Sequence, residues 1–293
     1  MKVFDFSLKL KERPEDFIVK EIADFEKGRN HFLYLLIKRD FNLFDIKLDF
    51  SFAGIKDKKA LTFQYVSFER FLGKKIEIED FKNRLREKKP WYYFKFLGRI
   101  KKKIRPGFLK GNKFFIRTET DKLEVKDSFI NYYDIQRLKD NWKDGLILIN
   151  TTKKTKNPIK KIKIDALLSY LWNKSLEEYL KEKFNGYYLK DQEFLFFIPE
   201  DFEELNIKFW PILGYKTIEK LSDKEREFYE KVLEDLELSI DKLGESLKKL
   251  KLKGDYRKII AYPREIKILN NYLSFFLPKG SYATMYLKFC YKI

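Results

Sequence analysis

Hydrophobic and polar residues alternate in several short segments of the N-terminal half of the chain. Residues 3–10, 64–70 and 91–98 alternate between apolar and polar side chains, and residues 31–38 are almost entirely apolar. Alternation is typical of a strand with one buried face, and a short apolar run is typical of a buried strand. The pattern predicts strands at these four segments, with residues 3–10 as an edge strand.

The spacing of the apolar residues becomes helical in the middle of the chain. After a polar segment at residues 150–158, apolar side chains from Leu167 to Leu180 fall on one face of a helix for which Asp165 is a candidate N-cap. This spacing predicts a helix packed against the core. Further helices are predicted at residues 76–89, at 223–236 after a Ser222–Glu225 capping box, and at 240–252.

Strand patterns return near the C-terminus. Residues 256–261 and 267–277 alternate, the second segment around Asn270 and Asn271, after a predicted turn at residues 210–215. Ser281 is a candidate cap for a last short helix. Strands followed by helices and then by strands indicate an α+β protein with a helix-rich insertion.

Composition and charge point to an anionic partner. The 293 residues include 63 Lys and Arg against 45 Asp and Glu, which gives a net charge of +18, and 17% of the residues are aromatic. Such a surface attracts polyanions, and aromatic rings stack on nucleic-acid bases. Anionic membranes would also fit the charge, but no long uncharged apolar segment predicts a membrane span. Charges where a signal peptide would be apolar favour a cytoplasmic location.

The rarity of cysteine and histidine excludes several kinds of site. Cys290 is the single cysteine, so no disulfide forms within the chain, and His31 is the single histidine. A zinc site built from Cys and His is therefore excluded, and His31, in an apolar segment, is interpreted as structural. No glycine pattern for binding nucleotides is present, so neither a metal nor a cofactor is expected. Carboxylate chemistry is the class that these exclusions leave.

The most informative acidic residue is Asp57. It lies between Lys56 and the pair Lys58 and Lys59, in the segment SFAGIKDKKALTFQYVSF at residues 51–68. Three neighbouring ammonium groups favour the ionised carboxylate, which is the state that a carboxylate nucleophile needs. An ionised aspartate could equally brace a basic loop through hydrogen bonds. The spacing alone leaves both interpretations open.

Five segments, in this order, resemble motifs of the TruD family of pseudouridine synthases. They are KERPEDFIVKE at residues 11–21, AGIKDKKALTFQ at 53–64, GFLKGNKF at 107–114, NYYDIQR at 131–137 and LPKGSYAT at 277–284. The second and fifth are the most specific. The fourth departs from the family pattern NYFGxQRFG, because Asp134, Leu138 and Lys139 replace Gly, Phe and Gly. The segment before the second motif is also shorter than is usual in the family.

The resemblance implies a fold and a domain organisation. It implies an α+β pseudouridine-synthase core with a mixed, mainly antiparallel sheet and helices packed on it. Residues 1–148 together with 256–293 would form this catalytic domain. Residues 149–255 would form an inserted, helix-rich TRUD domain, with a basic cleft between the two.

The resemblance also implies a reaction and a substrate. The family isomerises uridine to pseudouridine in RNA, and uridine 13 of tRNA is its usual target. Asp57 would be the nucleophile, in a monomer that needs no cofactor. Other site residues follow from the matched motifs: Lys11, Phe17, Asn131, Tyr133 and Tyr282 at the substrate, and Lys56, Lys58, Lys101, Lys102, Lys103, Arg105 and Arg137 along the RNA backbone.

Two alternatives stay open. One is a non-catalytic RNA-binding protein or RNA chaperone on the same scaffold, in which Asp57 is structural. The other is a synthase that acts on a different position or a different RNA. A metal-dependent nuclease is disfavoured, because no cluster of acidic residues lies near Asp57 in the sequence.

Overall fold

The computed structural model describes residues 1–77, 88–151 and 157–293. Its strands are β1 (Val3–Asp5), β2 (Phe17–Ile22), β3 (Lys27–Arg39), β4 (Ser51–Phe52), β5 (Leu61–Phe68), β6 (Lys75–Glu77), β7 (Trp91–Ile100), β8 (Gly111–Arg117), β9 (Phe129–Ile130), β10 (Gly186–Asp191), β11 (Phe194–Pro199), β12 (Phe209–Ile212), β13 (Asp255–Lys258), β14 (Ile260–Ala261), β15 (Arg264–Leu269) and β16 (Tyr272–Pro278). Its α-helices are α1 (Ile135–Leu138), α2 (Asn141–Thr151), α3 (Pro158–Lys183), α4 (Tyr215–Ile218), α5 (Asp223–Glu234), α6 (Ile240–Lys249) and α7 (Ala283–Cys290).

One large sheet dominates the described residues. It has nine strands in the order β15-β16-β8-β2-β5-β3-β7-β6, with β4 also paired to β5. Strands β2 and β5 are parallel, and each of the other pairs in this sheet is antiparallel. The predicted α+β class with a mixed, mainly antiparallel sheet is confirmed.

Most strands lie where the alternation predicted them, but the strand predicted at residues 3–10 is limited to β1 (Val3–Asp5). Residues 31–38 form the apolar centre of β3, in which Tyr34, Leu36 and Lys38 are fully buried at alternate positions. The segment at 267–277 is the β15–β16 hairpin. The predicted helix at 76–89 lies mostly outside the described residues, and its first two residues end β6.

The helix α3 buries its predicted face but begins earlier than expected. Leu167, Leu171 and Leu180 are fully buried in the core. The N-cap is Asn157, whose side-chain oxygen accepts from the backbone N–H of Ile159 at 2.9 Å. The prediction of Asp165 as the cap was wrong. Pro158 is the first residue of α3. Proline suits this position of a helix, because the N–H that it lacks is not needed there.

The other predicted caps had mixed outcomes. Ser222 and Glu225 form the capping box at the start of α5, as predicted. Ser281 does not cap α7, because that helix begins after Tyr282, and the buried Ser281 hydroxyl has no hydrogen-bond partner among the described residues. The predicted turn at 210–215 is partly wrong, since its first residues belong to β12.

A continuous apolar core runs through both predicted domains. Phe17, Leu171 and Tyr286 belong to the same buried cluster. Strand β1 pairs in parallel with β10, and β12 pairs with β13. The predicted limit between residues 148 and 149 falls inside α2. The division into a catalytic domain and an insert stays a prediction.

Candidate active site

A cavity of about 420 Å³ lies where the loop after β4 meets β2, β8 and the turn before α7. Its lining includes the whole of residues 53–57 and 279–284, together with Phe17, Val19, Gly107, Leu109, Asn112, Phe114 and Gln136. This size is within the usual range of ligand sites in proteins. All five motif segments, far apart in sequence, therefore contribute residues to one cavity.

Asp57 is the carboxylate in this lining. Its Oδ2 accepts from the Lys11 ammonium and from Gln136 Nε2, the latter at 3.0 Å. Its Oδ1 accepts from the backbone N–H of Lys59 at 3.0 Å. Since its side chain is 17% exposed, it is both held in place and accessible. These contacts fix the direction of the carboxylate within the cavity.

A buried lysine of β3 holds the backbone of Asp57 in place. Lys38 on β3 is fully buried, and its Nζ donates to the Asp57 carbonyl oxygen at 2.7 Å. Burial lowers the pKa of Lys38 to about 8, although the charge of Asp57 opposes this change. A buried amine is retained only when its hydrogen bond is satisfied. Lys38 therefore supports the position of the loop that carries Asp57.

The rest of the loop motif explains its local conformation. Gln64 is fully buried, and its Nε2 donates to the Gly54 carbonyl oxygen at 2.6 Å, which closes the loop on itself. Ala60 is fully buried at the start of β5. A Cβ at Gly54 would meet no atom within 4 Å, and this residue lines the cavity. A larger side chain at Gly54 would therefore occupy cavity space without disturbing the packing.

Lys56 lines the same cavity, but its charge is already paired. Its Nζ lies 2.8 Å from Oε1 of Glu21, whose side chain is completely buried. Glu21 also accepts from the backbone N–H of Tyr65 at 2.7 Å. Burial raises the pKa of Glu21, while Lys56 acts against that change. The pair fixes β2 against the loop, so Lys56 has a structural task besides any contact with RNA.

Aromatic side chains from two motifs also line the cavity. Phe17 is buried, and the Lys11 ammonium lies 4.2 Å from the centre of its ring. Tyr282 is half-buried on the opposite segment, and burial raises its pKa to about 12. The Tyr282 hydroxyl is therefore neutral at physiological pH. The backbone of Lys11 has a φ of 59°, a conformation that non-glycine residues seldom adopt and that often occurs at functional sites.

Asn131 and Tyr133 lie beside the cavity and do not line it. The Asn131 amide donates to the Lys258 carbonyl at 3.2 Å and accepts from Arg257 at 3.0 Å. The Arg257 guanidinium also lies 4.0 Å from the centre of the Tyr133 ring and donates to the Gly280 carbonyl at 2.8 Å. Arg257 thus connects the fourth motif to the turn before α7.

Asp134 anchors the fourth motif inside the protein. Both Asp134 and Lys288 are fully buried, with Lys288 Nζ 2.7 Å from Asp134 and 2.7 Å from Asp191 on β10. Thr284 donates a further hydrogen bond to Asp134. Burial alone would raise the pKa of Asp134, but Lys288 and Thr284 outweigh it and hold this pKa below its usual value.

The sequence of the chain matches a family model along most of its length. The model describes tRNA pseudouridine synthase D (TruD) and matches residues 4–138 and 198–289, which is more than half of the chain. The chain belongs to the TruD family. The family membership predicted from the motifs is confirmed, and with it the membership in a family of isomerases.

Individual relatives of the TruD family resemble nearly the whole chain. A protein named tRNA pseudouridine synthase D from Nitratiruptor sp. is 28% identical, over 95% of this chain and 93% of the relative. A protein named "Probable tRNA pseudouridine synthase D 1" from Methanococcus maripaludis is 27% identical, over 98% of this chain and 100% of the relative. A solved structure from Methanosarcina mazei, assigned to TruD, has a TM-score of 0.54 at 20% identity over 97% of this chain and 93% of that chain, which shows a shared fold.

The basic residues that the TruD motifs suggested are distributed over several places. Lys58 is exposed near Asp57, and Arg137 lies 3.5 Å from Asp165 on α3. The others, Lys101, Lys102, Lys103 and Arg105, line a second cavity with His31 and Phe108. Among the described residues, no group of three or more His, Cys, Asp or Glu side chains is placed to hold a metal ion. No helix in that part of the chain combines the length and apolar character needed to cross a bilayer.

Several residues at this site, among them Lys38, Gln136 and Arg257, were given no role in the sequence analysis. Lys38 occupies a position of the buried face of β3, so a lysine in phase with Tyr34 and Leu36 was a usable signal. Gln136 was part of a recognised motif but received no role. Arg257 carries no local signal, because its partners are brought to it only by the fold.

Proposed function

We propose that the protein is a tRNA pseudouridine synthase that uses Asp57 as its nucleophile and acts preferentially on uridine 13. The observation that carries this proposal is the position of Asp57. Its carboxylate is accessible, is oriented by Lys11, Gln136 and Lys59, and lines a cavity with the aromatic residues Phe17 and Tyr282. The relatives are named tRNA pseudouridine synthase D, which supports tRNA as the substrate. We expect the protein to act in the cytoplasm.

The reaction begins with extrusion of the target nucleotide. A uridine within folded RNA is hidden by its neighbours, so it has to leave the stack and enter the cavity. The Asp57 carboxylate then assists cleavage of the bond between C1′ of ribose and N1 of uracil. The detached base rotates, C5 bonds to C1′, and the proton on C5 is lost while N1 gains one. The product is an isomer of the substrate, so the balance needs no redox or group donor.

The side chains of the cavity have separate roles in this proposal. Phe17 and Tyr282 offer rings against which the base can stack. Asn112 lines the cavity, and its buried Oδ1 has no hydrogen-bond partner in the described part of the chain, which makes this side chain a candidate to bond the edge of uracil. The Asn131 amide is already bonded by Arg257 and Lys258. We therefore expect Asn131 to reach the base only if it exchanges these bonds, and to orient Arg257 otherwise.

The direct test is to incubate purified protein with unmodified tRNA transcripts and to map pseudouridine by sequencing. Product at position 13 is the expected result. Product at another position would contradict the preferred target and support a synthase with a different specificity. A protein that binds tRNA but forms no pseudouridine in a complete tRNA pool would contradict catalysis and favour an RNA-binding protein or chaperone.

A further inference from the structure

A second cavity of about 420 Å³ lies next to the Asp57 cavity and has no role in the reaction described above. It is lined by His31 on β3, by Glu69 after β5, by Phe108, and by Lys101, Lys102, Lys103 and Arg105. We call it the His31 cavity. Its basic residues follow directly after the end of β7 at Ile100.

The two cavities share one chain segment as their common wall. Gly107 and Leu109 line the Asp57 cavity, whereas Arg105 and Phe108 line the His31 cavity. At the Asp57 side, Lys279 donates to the Gly107 carbonyl at 2.8 Å. A nucleic-acid strand that places one nucleotide in the first cavity would therefore pass the second.

The shared segment is held in place before any ligand binds. The backbone N–H of Ile104 donates to the buried Ser67 hydroxyl at 2.9 Å, and the N–H of Lys110 donates to the Ile22 carbonyl at 3.0 Å. Asn30 donates to the Lys101 carbonyl at 3.1 Å. A site that is already ordered loses less conformational entropy on binding.

The charge of the His31 cavity is only partly neutralised. Lys101 lies 2.6 Å from Glu26. In the described part of the chain, Lys102, Lys103 and Arg105 have no carboxylate within ion-pair distance, and Glu69 is the single acid in the lining. By contrast, Lys56 in the Asp57 cavity is paired with Glu21. In the same described part of the chain, the Asp57 cavity has one lysine without a carboxylate partner, Lys279, against three such cations in the His31 cavity, so a phosphate meets more unpaired positive charge in the second cavity.

Two ring systems complete the lining. Phe108 is half-buried and stacks on Phe25, with 5.5 Å between ring centres, so its position is fixed. The buried Nδ1 of His31 has no hydrogen-bond partner among the described residues. A flat ring and an imidazole with an unbonded nitrogen suit an unstacked base better than a free inorganic anion.

We propose that the His31 cavity binds the nucleotide adjacent to the one that enters the Asp57 cavity. Its phosphate lies against Lys102 and Lys103, and its base lies against His31 and Phe108. This inference rests on the proposed function, because it assigns the second cavity to the same RNA strand.

The phosphate contact is tested through the salt dependence of tRNA binding. The variant K102Q/K103Q is compared with wild type and with K248Q/K249Q, which removes the same charge from exposed positions on α6. Losing two phosphate contacts should weaken binding about tenfold and lower the slope of log K against log salt by about 1.4. The control should change the slope by much less. Equal slopes in the two double variants would overturn the proposal.

The base contact is tested with abasic substitutions on either side of the mapped target uridine. An abasic nucleotide at one of the two positions should weaken the binding of tRNA to wild-type protein about tenfold, since stacking of one base has this magnitude. For His31→Ala, the same abasic nucleotide should not weaken binding further, because the contact with the base is already lost. For His31→Phe, whose ring can still stack, it should weaken binding by part of the wild-type amount. Equal losses in wild type and His31→Ala at every position would contradict the base contact.

The outcomes separate this inference from the proposed function. A wild-type protein that binds tRNA without forming pseudouridine would contradict the function, while the comparison of salt slopes would still decide the phosphate contact. A wild-type protein that forms pseudouridine while K102Q/K103Q behaves like the control would contradict the His31 cavity alone.

Discussion

The two motif segments that meet at Asp57 use their polar side chains in opposite ways. In residues 53–64, Asp57 and Lys56 line the cavity, and Gln64 closes the loop beneath it. In residues 131–138, Asn131 and Asp134 are bonded inside the protein, whereas Gln136 donates to the Asp57 carboxylate. The first segment carries the proposed nucleophile, and the second serves mainly as its support.

This difference parallels the match of each segment to the family motif. The first segment keeps every residue of its motif, whereas the second has Asp134 where the family has glycine. The structure gives that replacement a partner, because Asp134 pairs with the buried Lys288 of α7. Asp134 therefore departs from the family motif, but it has a buried ion-pair partner, Lys288, in the same chain.

The largest effect is expected from Asp134→Asn. Removing one member of a buried ion pair leaves Lys288 undercompensated, and we expect the free energy of unfolding to fall by about 3 kcal/mol because Asp191 still pairs with this lysine. Urea unfolding measures the change. Glu265→Gln, which breaks the exposed pair with Lys113, is the control and should have little effect.

The pH dependence of Asp134→Asn sharpens the same test. The folded protein holds the pKa of Asp134 below its usual value, so this carboxylate stabilises the fold above about pH 4, and the contribution is lost as the pH falls through the folded pKa. The variant should lose less stability than wild type on acidification. An unfolding profile identical to that of wild type would show that the second segment is not anchored in this way.

The sequence predicted the strands, the buried face of α3 and the capping box of α5, because these depend on local periodicity and neighbouring residues. It could not predict the pairing of Asp134 with Lys288, which are separated by 154 positions. It also misplaced the start of α3, since Pro158 was assigned to the polar segment before it. Interactions between distant segments are set by the fold, and single-sequence patterns do not contain them.

An intermediate effect is expected from Lys38→Met, which removes the donor to the Asp57 carbonyl and keeps an unbranched side chain. Hydrogen bonds from charged donors contribute about 2 kcal/mol, so the single-turnover rate should fall about thirtyfold if the loop relies on this contact. Affinity for tRNA should change little, because Lys38 is fully buried. A reduced affinity with an unchanged rate would argue against positioning.

Lys38 should also leave a signature in stability at alkaline pH. Its pKa is about 8 in the folded state and about 10.5 in the unfolded state, so the unfolded chain binds more protons between these values. Wild-type stability should therefore rise with pH across this interval, relative to Lys38→Met. Denaturant unfolding at pH 7.5 and pH 10 would measure the difference, and parallel behaviour of the two proteins would contradict the assignment.

The smallest effect is expected from Gln136→Ala. One of three donors to the Asp57 carboxylate is lost, while Lys11 and the Lys59 backbone remain. A rate decrease of about fivefold, near 1 kcal/mol, is expected in single-turnover experiments. A decrease as large as that of Lys38→Met would show that the two segments contribute equally, which would contradict the comparison above.

The sequence located the residues that line the cavity better than the residues of the fourth motif, Asn131 and Tyr133. Asp57, Phe17 and Tyr282 line one cavity, and Lys56, which the matched motifs assigned to the RNA backbone, lines it too. Asn131 and Tyr133 lie beside it, because Arg257 holds them. The motif identified which residues belong near the site, but only the surrounding packing determines whether a side chain points into it.

The most direct test is single-turnover pseudouridine formation by Asp57→Asn, with tRNA binding measured on the same preparation. Asparagine keeps the size of the side chain but not its charge or nucleophilicity. The account predicts that product formation is lost while the affinity for tRNA stays within about threefold of wild type, a change of less than 1 kcal/mol. Product formation by Asp57→Asn at a rate near that of wild type would contradict it.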